Sequence, residues 1–222
     1  MIKFDKTVQL TVAADYRLAM LEAIVERYKL REIYDYIRQP HFDTNQPYHN
    51  TGHCIRVALR GYELMAAAGW RLHHDYARML VAAFFHDFGH TGKRPDSRNI
   101  EIAIAGLYGA DCVKEYFKPD GVAYIADCIR CTEYNNGFPI APKDIVQMAL
   151  RDADLMESLE PNGIEYTLFN LCAELGIDDV KAAIPQQIAF MENAELFTDA
   201  GRYIWAATLD SRIAAVETLV RE

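Results

Sequence analysis

Asp75-Tyr-Ala-Arg-Met-Leu-Val-Ala-Ala-Phe-Phe-His-Asp-Phe-Gly-His90 is apolar almost without interruption until His86. Such a run, with no strand-like alternation, predicts a helix from Asp75 to Phe85 that is buried on every side and central to an α-helical core. It ends on an imidazole and a carboxylate. An acid there faces the negative end of the helix dipole. An ionised acid beside so apolar a helix is costly unless it is paired or metal-bound. A solvent-facing Asp87 keeps the dipole problem, whereas a cation removes it. His90, four residues after His86, continues the same polar edge.

Two other segments answer this one. Upstream lies Tyr48-His49-Asn50-Thr51-Gly52-His53, and downstream Arg151-Asp152-Ala153-Asp154. His49 and His53 are one helical turn apart on one face, so one can ligate a metal while the other faces a substrate. Imidazoles and carboxylates are the ligands of borderline and hard divalent ions. One carboxylate from the third segment, Asp152 or Asp154, completes an N2O2 set with His53, His86 and Asp87. Taken singly, each of these residues has a plainer reading as a satisfied core histidine or an exposed acid. Together they point to a buried metal site and water-based chemistry.

The rest of the chain is helical in period. Val12, Tyr16, Met20, Ile24 and Tyr28 form the stripe of a first helix, and Arg31 to Arg38 a second, stopped by Pro40. The polar stretch 41–48 reads as a loop. Asn50 or Thr51 is an N-cap candidate for a helix reaching about Ala68, with Gly69 closing it. Further helices are expected at about 99–109, 121–134, 143–158, 163–175 and 202–220, and another starting near Pro185 as a first helical residue. Residues 89–98 and 135–142 read as loops. No segment has the pattern of a strand, and no linker or repeat divides the chain. The expected architecture is all-α: a single compact helical bundle over 1–222.

Composition narrows the function classes. The chain of 222 residues is 51% hydrophobic and 25% charged, ordinary for a globular protein, with formal net charge −9. That charge argues against nucleic acid as a partner, since phosphate backbones need a basic surface. No apolar run is long enough to span a membrane, and Met1-Ile2-Lys3-Phe4-Asp5 has no signal-peptide character. The five cysteines have no disulfide-framework spacing and read as reduced thiols of a cytoplasmic protein. Cys128-Ile-Arg-Cys131 lacks the second pair of a zinc site and reads as buried core. His41, His73 and His74 read as surface residues. Lys93, Arg94 and Arg98 could meet phosphate oxygens, but mostly read as a solvated loop. Glu133 is read either as facing the pocket or as a helix cap.

These residues resemble a known family. His53, then His86-Asp87, then an aspartate is similar to the H…HD…D signature of the HD-domain metal-dependent phosphohydrolases, and Ala153-Asp154-Leu155 resembles the Ala-Asp-Leu of their class I cyclic-nucleotide phosphodiesterase branch, favouring Asp154 over Asp152. The branch motif YHNxxHxxxV is matched by Tyr48 to Val57, and HDxxHxG by His86 to Gly92. Gln187-Ile188-Ala189-Phe190 resembles the QxxF pair that bonds the edge of a base and stacks on its face. The family's asparagine after HxGxx falls on Pro95. Asn99 matches only if Lys93-Arg94-Pro95-Asp96 is an insertion.

The resemblance implies an HD-type helical fold. It implies metal ligation by His53, His86, Asp87 and Asp154, with Zn, Mn, Fe or Ni at a tight site. No histidine follows His90, so a second ion, Mg or Mn, would need Asp87 as bridge and waters for the rest. His49 is expected as proton donor, His90 as a residue holding the attacking water, and Tyr48, Asn99, Gln187 and Phe190 at the substrate. The expected activity is hydrolysis of a small nucleotide phosphodiester. The alternatives are an HD-domain nucleotidase or dNTP phosphohydrolase and a catalytically silent nucleotide-sensing module. An oligomer is compatible with the sequence.

Overall fold

The computed structural model describes residues 6–40, 46–135, 137–156 and 163–221. Among them are eleven α-helices and no strand: α1 (Lys6–Arg27), α2 (Arg31–Ile37), α3 (Thr51–Ala67), α4 (His73–Phe85), α5 (Asp96–Gly109), α6 (Asp111–Tyr116), α7 (Pro119–Arg130), α8 (Ile145–Leu155), α9 (Gly163–Leu175), α10 (Val180–Asn193) and α11 (Asp199–Arg221). The all-α expectation holds. No helix among the described residues is long and apolar enough to cross a membrane.

The predicted buried helix is the axis of the fold. From Asp75 to Phe85 every residue of α4 is buried except Arg78, which is half-buried. It packs on α3, α7 and α8, and α3 also packs on α8. The close approach of α3 and α4 depends on Gly61: a Cβ there would lie 2.4 Å from Met79 Sδ. Asn50 is the N-cap of α3, its side chain accepting the His53 N–H at 3.1 Å. Gly69 follows the helix end with φ +70, the left-handed conformation that ends a helix without a Cβ penalty.

Several boundaries differ from the sequence expectation. α5 starts at Asp96 rather than near residue 99, α11 at Asp199 rather than near 202, and α7 ends at Arg130. The short α6 was not predicted; six residues carry too little period to read. Pro185 lies inside α10, not at its first turn, because the Asp179 carboxylate accepts the Lys181 N–H at 3.1 Å and starts the helix earlier. Met20 is half-buried, and Ile24 and Tyr28 are buried, as the first stripe requires. Val12, Tyr16 and His41, most of the 41–48 loop, and the predicted extension of α8 past Met156 lie outside the residues whose side chains are described. Cys128 and Cys131 are buried and all five cysteines are free. His73, His74, Lys93, Arg94 and Arg98 are exposed.

One buried carboxylate joins the C-terminal part to the core. Asp152, fully buried on α8, accepts the Phe197 N–H (2.9 Å), the Thr198 N–H (2.7 Å) and the Thr198 hydroxyl (2.6 Å) at the entry to α11. A Cβ on Gly201 would sit 2.5 Å from the same carboxylate. Asp152→Ala leaves three donors without their acceptor. It should lower unfolding stability by about 1–3 kcal/mol, the cost of stranding buried polar groups, read as a lower urea midpoint with unchanged helical circular dichroism.

Candidate metal centre

Three helices bring four side chains together. His53 comes from the first turn of α3, His86 from the C-cap of α4 with Asp87 directly after it, and Asp154 from the last turn of α8. His53 Nε2 lies 3.1 Å from His86 Nε2, 3.1 Å from Asp154 Oδ1 and 3.2 Å from Asp87 Oδ2. His86 Nε2 lies 3.2 Å from Asp87 Oδ2 and 3.5 Å from Asp154 Oδ1. Both imidazoles are buried. His53, His86 and Asp154 each turn a ligand atom to a common point and could hold a metal ion.

Two observations test whether a cation suits this arrangement. His86 Nδ1 is 2.8 Å from the Ala83 carbonyl, so the proton of the neutral ring sits on Nδ1 and the Nε2 lone pair faces the cluster. Asp87 Oδ2 is buried and receives no well-aligned hydrogen bond. A buried anionic oxygen with no donor, beside an imidazole lone pair, is the donor set of a divalent ion rather than of a hydrogen-bond network. Burial opposes charge on Asp87 and Asp154, yet the neighbouring histidines outweigh it and hold both carboxyls below their usual range. Burial likewise opposes the charged form of His86, and Asp87 and Asp154 outweigh it.

Asp152 and Asp154 were equivalent candidates on residue type alone. The structure separates them: Asp152 turns to the start of α11, and Asp154 to the histidines.

A second layer sits beside this cluster. His49 Nδ1 is 2.5 Å from Glu174 Oε1, and Glu174 Oε2 accepts the backbone N–H groups of Tyr48 (3.2 Å) and His49 (3.1 Å). Glu174, near the end of α9, has a side chain only 1% exposed. Burial raises its pKa, but the hydrogen bonds from His49 and His90 prevail and hold it below the ordinary carboxylate range. Sequence reasoning missed Glu174; nothing local marks it, because its partners lie far off in the chain, Tyr48 and His49 some 125 positions away. The His90 ring stacks on His49, centroids 3.9 Å apart at 27°. Burial lowers the His90 pKa, whereas Asp96 and Glu174 raise it more, to about 9.

The remaining expected site residues fall into two groups. Tyr48 is buried with its ring 4.8 Å from His49 and 4.9 Å from His53, so it packs on the histidines. Asn99 is also buried. Its Oδ1 accepts the Thr91 N–H (3.1 Å) and hydroxyl (2.8 Å), and its amide nitrogen donates to the Lys93 carbonyl (3.0 Å) and lies 3.0 Å from His90 Nε2. It therefore holds the 91–93 loop against His90. Gln187 and Phe190 are half-buried on α10, Phe190 packing against the core. Glu133 is half-buried and accepts from Asn135 at 2.6 Å.

Comparison with known proteins places this geometry. No curated protein sequence matches the chain significantly. The phosphodiesterase domain of the Salpingoeca rosetta rhodopsin phosphodiesterase superposes with TM-score 0.67 at 17% identity, over 89% of this chain and 84% of that one. A phosphodiesterase domain of the RhoPDE fusion protein from the same choanoflagellate superposes with TM-score 0.61 at 17% identity, over 98% and 90%. LmjPDEB1, solved with IBMX, superposes with TM-score 0.57 at 17% identity, over 80% and 76%. At such identity the likeness is one of fold. The family model of the HD domain matches residues 51–159, the segment that contains His53, His86, Asp87 and Asp154. Residues 51–159 accordingly match the HD domain, and the described residues have the all-α fold seen in phosphodiesterase catalytic domains.

Proposed function

We propose that the chain is a metal-dependent phosphohydrolase that hydrolyses a small nucleotide phosphodiester, in the manner of a cyclic-nucleotide phosphodiesterase. The observation that carries this reading is the pairing of two arrangements: the His53, His86, Asp87 and Asp154 cluster, and the His49–Glu174 pair next to it. A site that splits a phosphodiester needs a nucleophile made from water and an acid for the leaving oxygen. The two layers are suited to these two tasks. The solved phosphodiesterase domains of like fold are in keeping with the reading.

His53, His86, Asp87 and Asp154 would hold a divalent ion, and Asp87 could share a second. When bound, such ions lower the pKa of water towards ~7 and neutralise charge on phosphoryl oxygens. The protein's own residues do the rest. Glu174, an anion, accepts a hydrogen bond from His49 Nδ1–H and so fixes the ring in its doubly protonated form, which returns to neutral imidazole after giving up its other proton. The other ring nitrogen of His49 then delivers its proton to the oxygen that leaves phosphorus. The His90 ring stacked on His49 limits its rotation, and Tyr48 closes the opposite side. Asn99 holds the loop that carries His90 in place. Gln187, through an amide that both donates and accepts, would read the edge of a base, and Phe190 would stack on it.

The test is a substrate panel with metal-supplemented protein: cyclic nucleotides, nucleoside mono- and triphosphates, and bis-(p-nitrophenyl) phosphate. Turnover of cyclic nucleotides is expected. Turnover of mono- or triphosphates alone would instead make the protein a nucleotidase, and no turnover of any would remove the catalytic reading.

Asp154→Ala and Asp87→Ala should each lose bound metal by elemental analysis, whereas Asp152→Ala should keep it. Retention in Asp154→Ala would break the ligand assignment. His49→Ala should reduce kcat by roughly 10²–10⁴-fold, the usual worth of general acid catalysis, with metal content near normal. Glu174→Gln should lower kcat in the same direction, since it leaves the ring without its ionised partner. Phe190→Ala should raise KM for a cyclic nucleotide about tenfold, because base–aromatic stacking is worth ~1–3 kcal/mol and ~1.4 kcal/mol is one decade. A ribose cyclic phosphate without a base should be unaffected.

A further inference from the structure

We propose that Tyr134 is a specificity-determining residue of this site, forming with Phe190 a right-angled aromatic corner that receives a purine base. The inference rests on the phosphodiesterase reading above and names the part of the substrate that the second wall would recognise.

Tyr134 stands in the loop after α7. It is 38% exposed, yet both its backbone and its ring are held in place. Its backbone N–H donates to Asp96 Oδ2 at 2.7 Å. The other oxygen of Asp96 lies 3.3 Å from the Asn99 amide nitrogen and 3.8 Å from His90 Nε2. One carboxylate therefore ties the Tyr134 loop to the histidine that stacks on His49. The Asp96 N–H also donates to Asn135 Oδ1 at 3.3 Å, a second tie to the same loop.

The Tyr134 ring meets Phe190 at 5.6 Å between centroids and 87° between planes, and Phe138 at 5.1 Å and 64°. Two rings at a right angle make a corner. A flat heterocycle lying on one ring meets the other edge-on, which is a favoured aromatic geometry. A fused purine spans both walls, whereas a single pyrimidine ring engages one. The Tyr134 hydroxyl adds a donor and acceptor at the rim.

Asp96 is the last residue of the Lys93–Asp96 segment, by which this chain departs from the motif spacing. The departure acquires a purpose: it supplies the carboxylate that fixes Tyr134 beside Phe190. The exposed ring of Tyr134 is then a wall of the substrate site rather than a surface residue.

The test compares wild type, Tyr134→Ala, Tyr134→Leu and Tyr134→Phe on a purine cyclic nucleotide, a pyrimidine cyclic nucleotide and a base-free ribose cyclic phosphate, with melting temperature measured on each protein. Tyr134→Ala and Tyr134→Leu should raise KM for the purine substrate roughly tenfold, with kcat within about twofold and the base-free substrate unchanged. The pyrimidine substrate should lose less, and Tyr134→Phe should restore the purine KM to within about threefold. Tyr134→Leu keeps apolar bulk in the loop, so it tests the flat ring even where Tyr134→Ala lowers the melting temperature. Unchanged purine KM in Tyr134→Leu, or equal loss on all three substrates, overturns the corner while leaving the phosphodiesterase reading intact. A wild type that cleaves bis-(p-nitrophenyl) phosphate but no cyclic nucleotide overturns both.

Discussion

One nitrogen atom has more neighbours than it can serve. His53 Nε2 stands within 3.2 Å of a second imidazole nitrogen and of two carboxylate oxygens. An imidazole nitrogen carries either one proton or one lone pair, so hydrogen bonding alone leaves at least two of these contacts unmatched. His86 adds to the conflict, because its Nδ1 proton is directed to the Ala83 carbonyl on the other side of the ring. Positive charge at the centre of the cluster resolves every contact at once. The cluster exists because α3, α4 and α8 end or begin at one place.

The scaffold meets it through local devices, each fixing one orientation. α4 is buried nearly all round, so the position of its C-terminal end, and of His86 and Asp87, is set by packing. The Asn50 cap binds the N–H of His53 itself, so the residue that starts α3 also fixes the first candidate ligand it carries. Asp152 pins α8, two residues before Asp154, to the segment that leads into α11. A site carried on helix ends held in this way keeps its geometry better than one carried on free loops.

The outer layer depends on close approach. Glu174 reaches the backbone of Tyr48 and His49 as well as the His49 ring, so one carboxylate positions both the segment and the imidazole. Gly92 permits this: its φ is +68, and a Cβ there would lie 2.6 Å from Gln46 Oε1 and 3.0 Å from Glu174 Cγ. The glycine of the histidine motif is thus required by the space Glu174 occupies as much as by the turn. Asn99 and Asp96 extend the same contact chain outward from His90 to the aromatic loop.

The sequence by itself determined the helical class and the central place of α4, because both are written in local periodicity, and it narrowed the cap of α3 to Asn50 or Thr51; the joining of His53 with His86-Asp87 was legible from residue type and motif, not from spacing within one element. The tertiary structure alone decided what lies across elements. Asp152 and Asp154 share one short helix and the same chemistry; the motif resemblance favours Asp154, and the contacts of Asp152 with Phe197 and Thr198 give the physical reason, making one a structural anchor and turning the other to the histidines. Glu174 looks like any helix-end acid until α9 is laid against the His49 segment. Pro185 reads as a first helical residue, but the Asp179 side chain starts α10 upstream of it. Asn99 is expected at the substrate from the resemblance alone; what the structure adds is that the turn before α5 engages its amide in holding the His90 loop. The physical reason is the same throughout: burial and hydrogen bonding between distant residues are set by where helices meet, and local sequence specifies a helix and its faces but not which neighbour a face will meet.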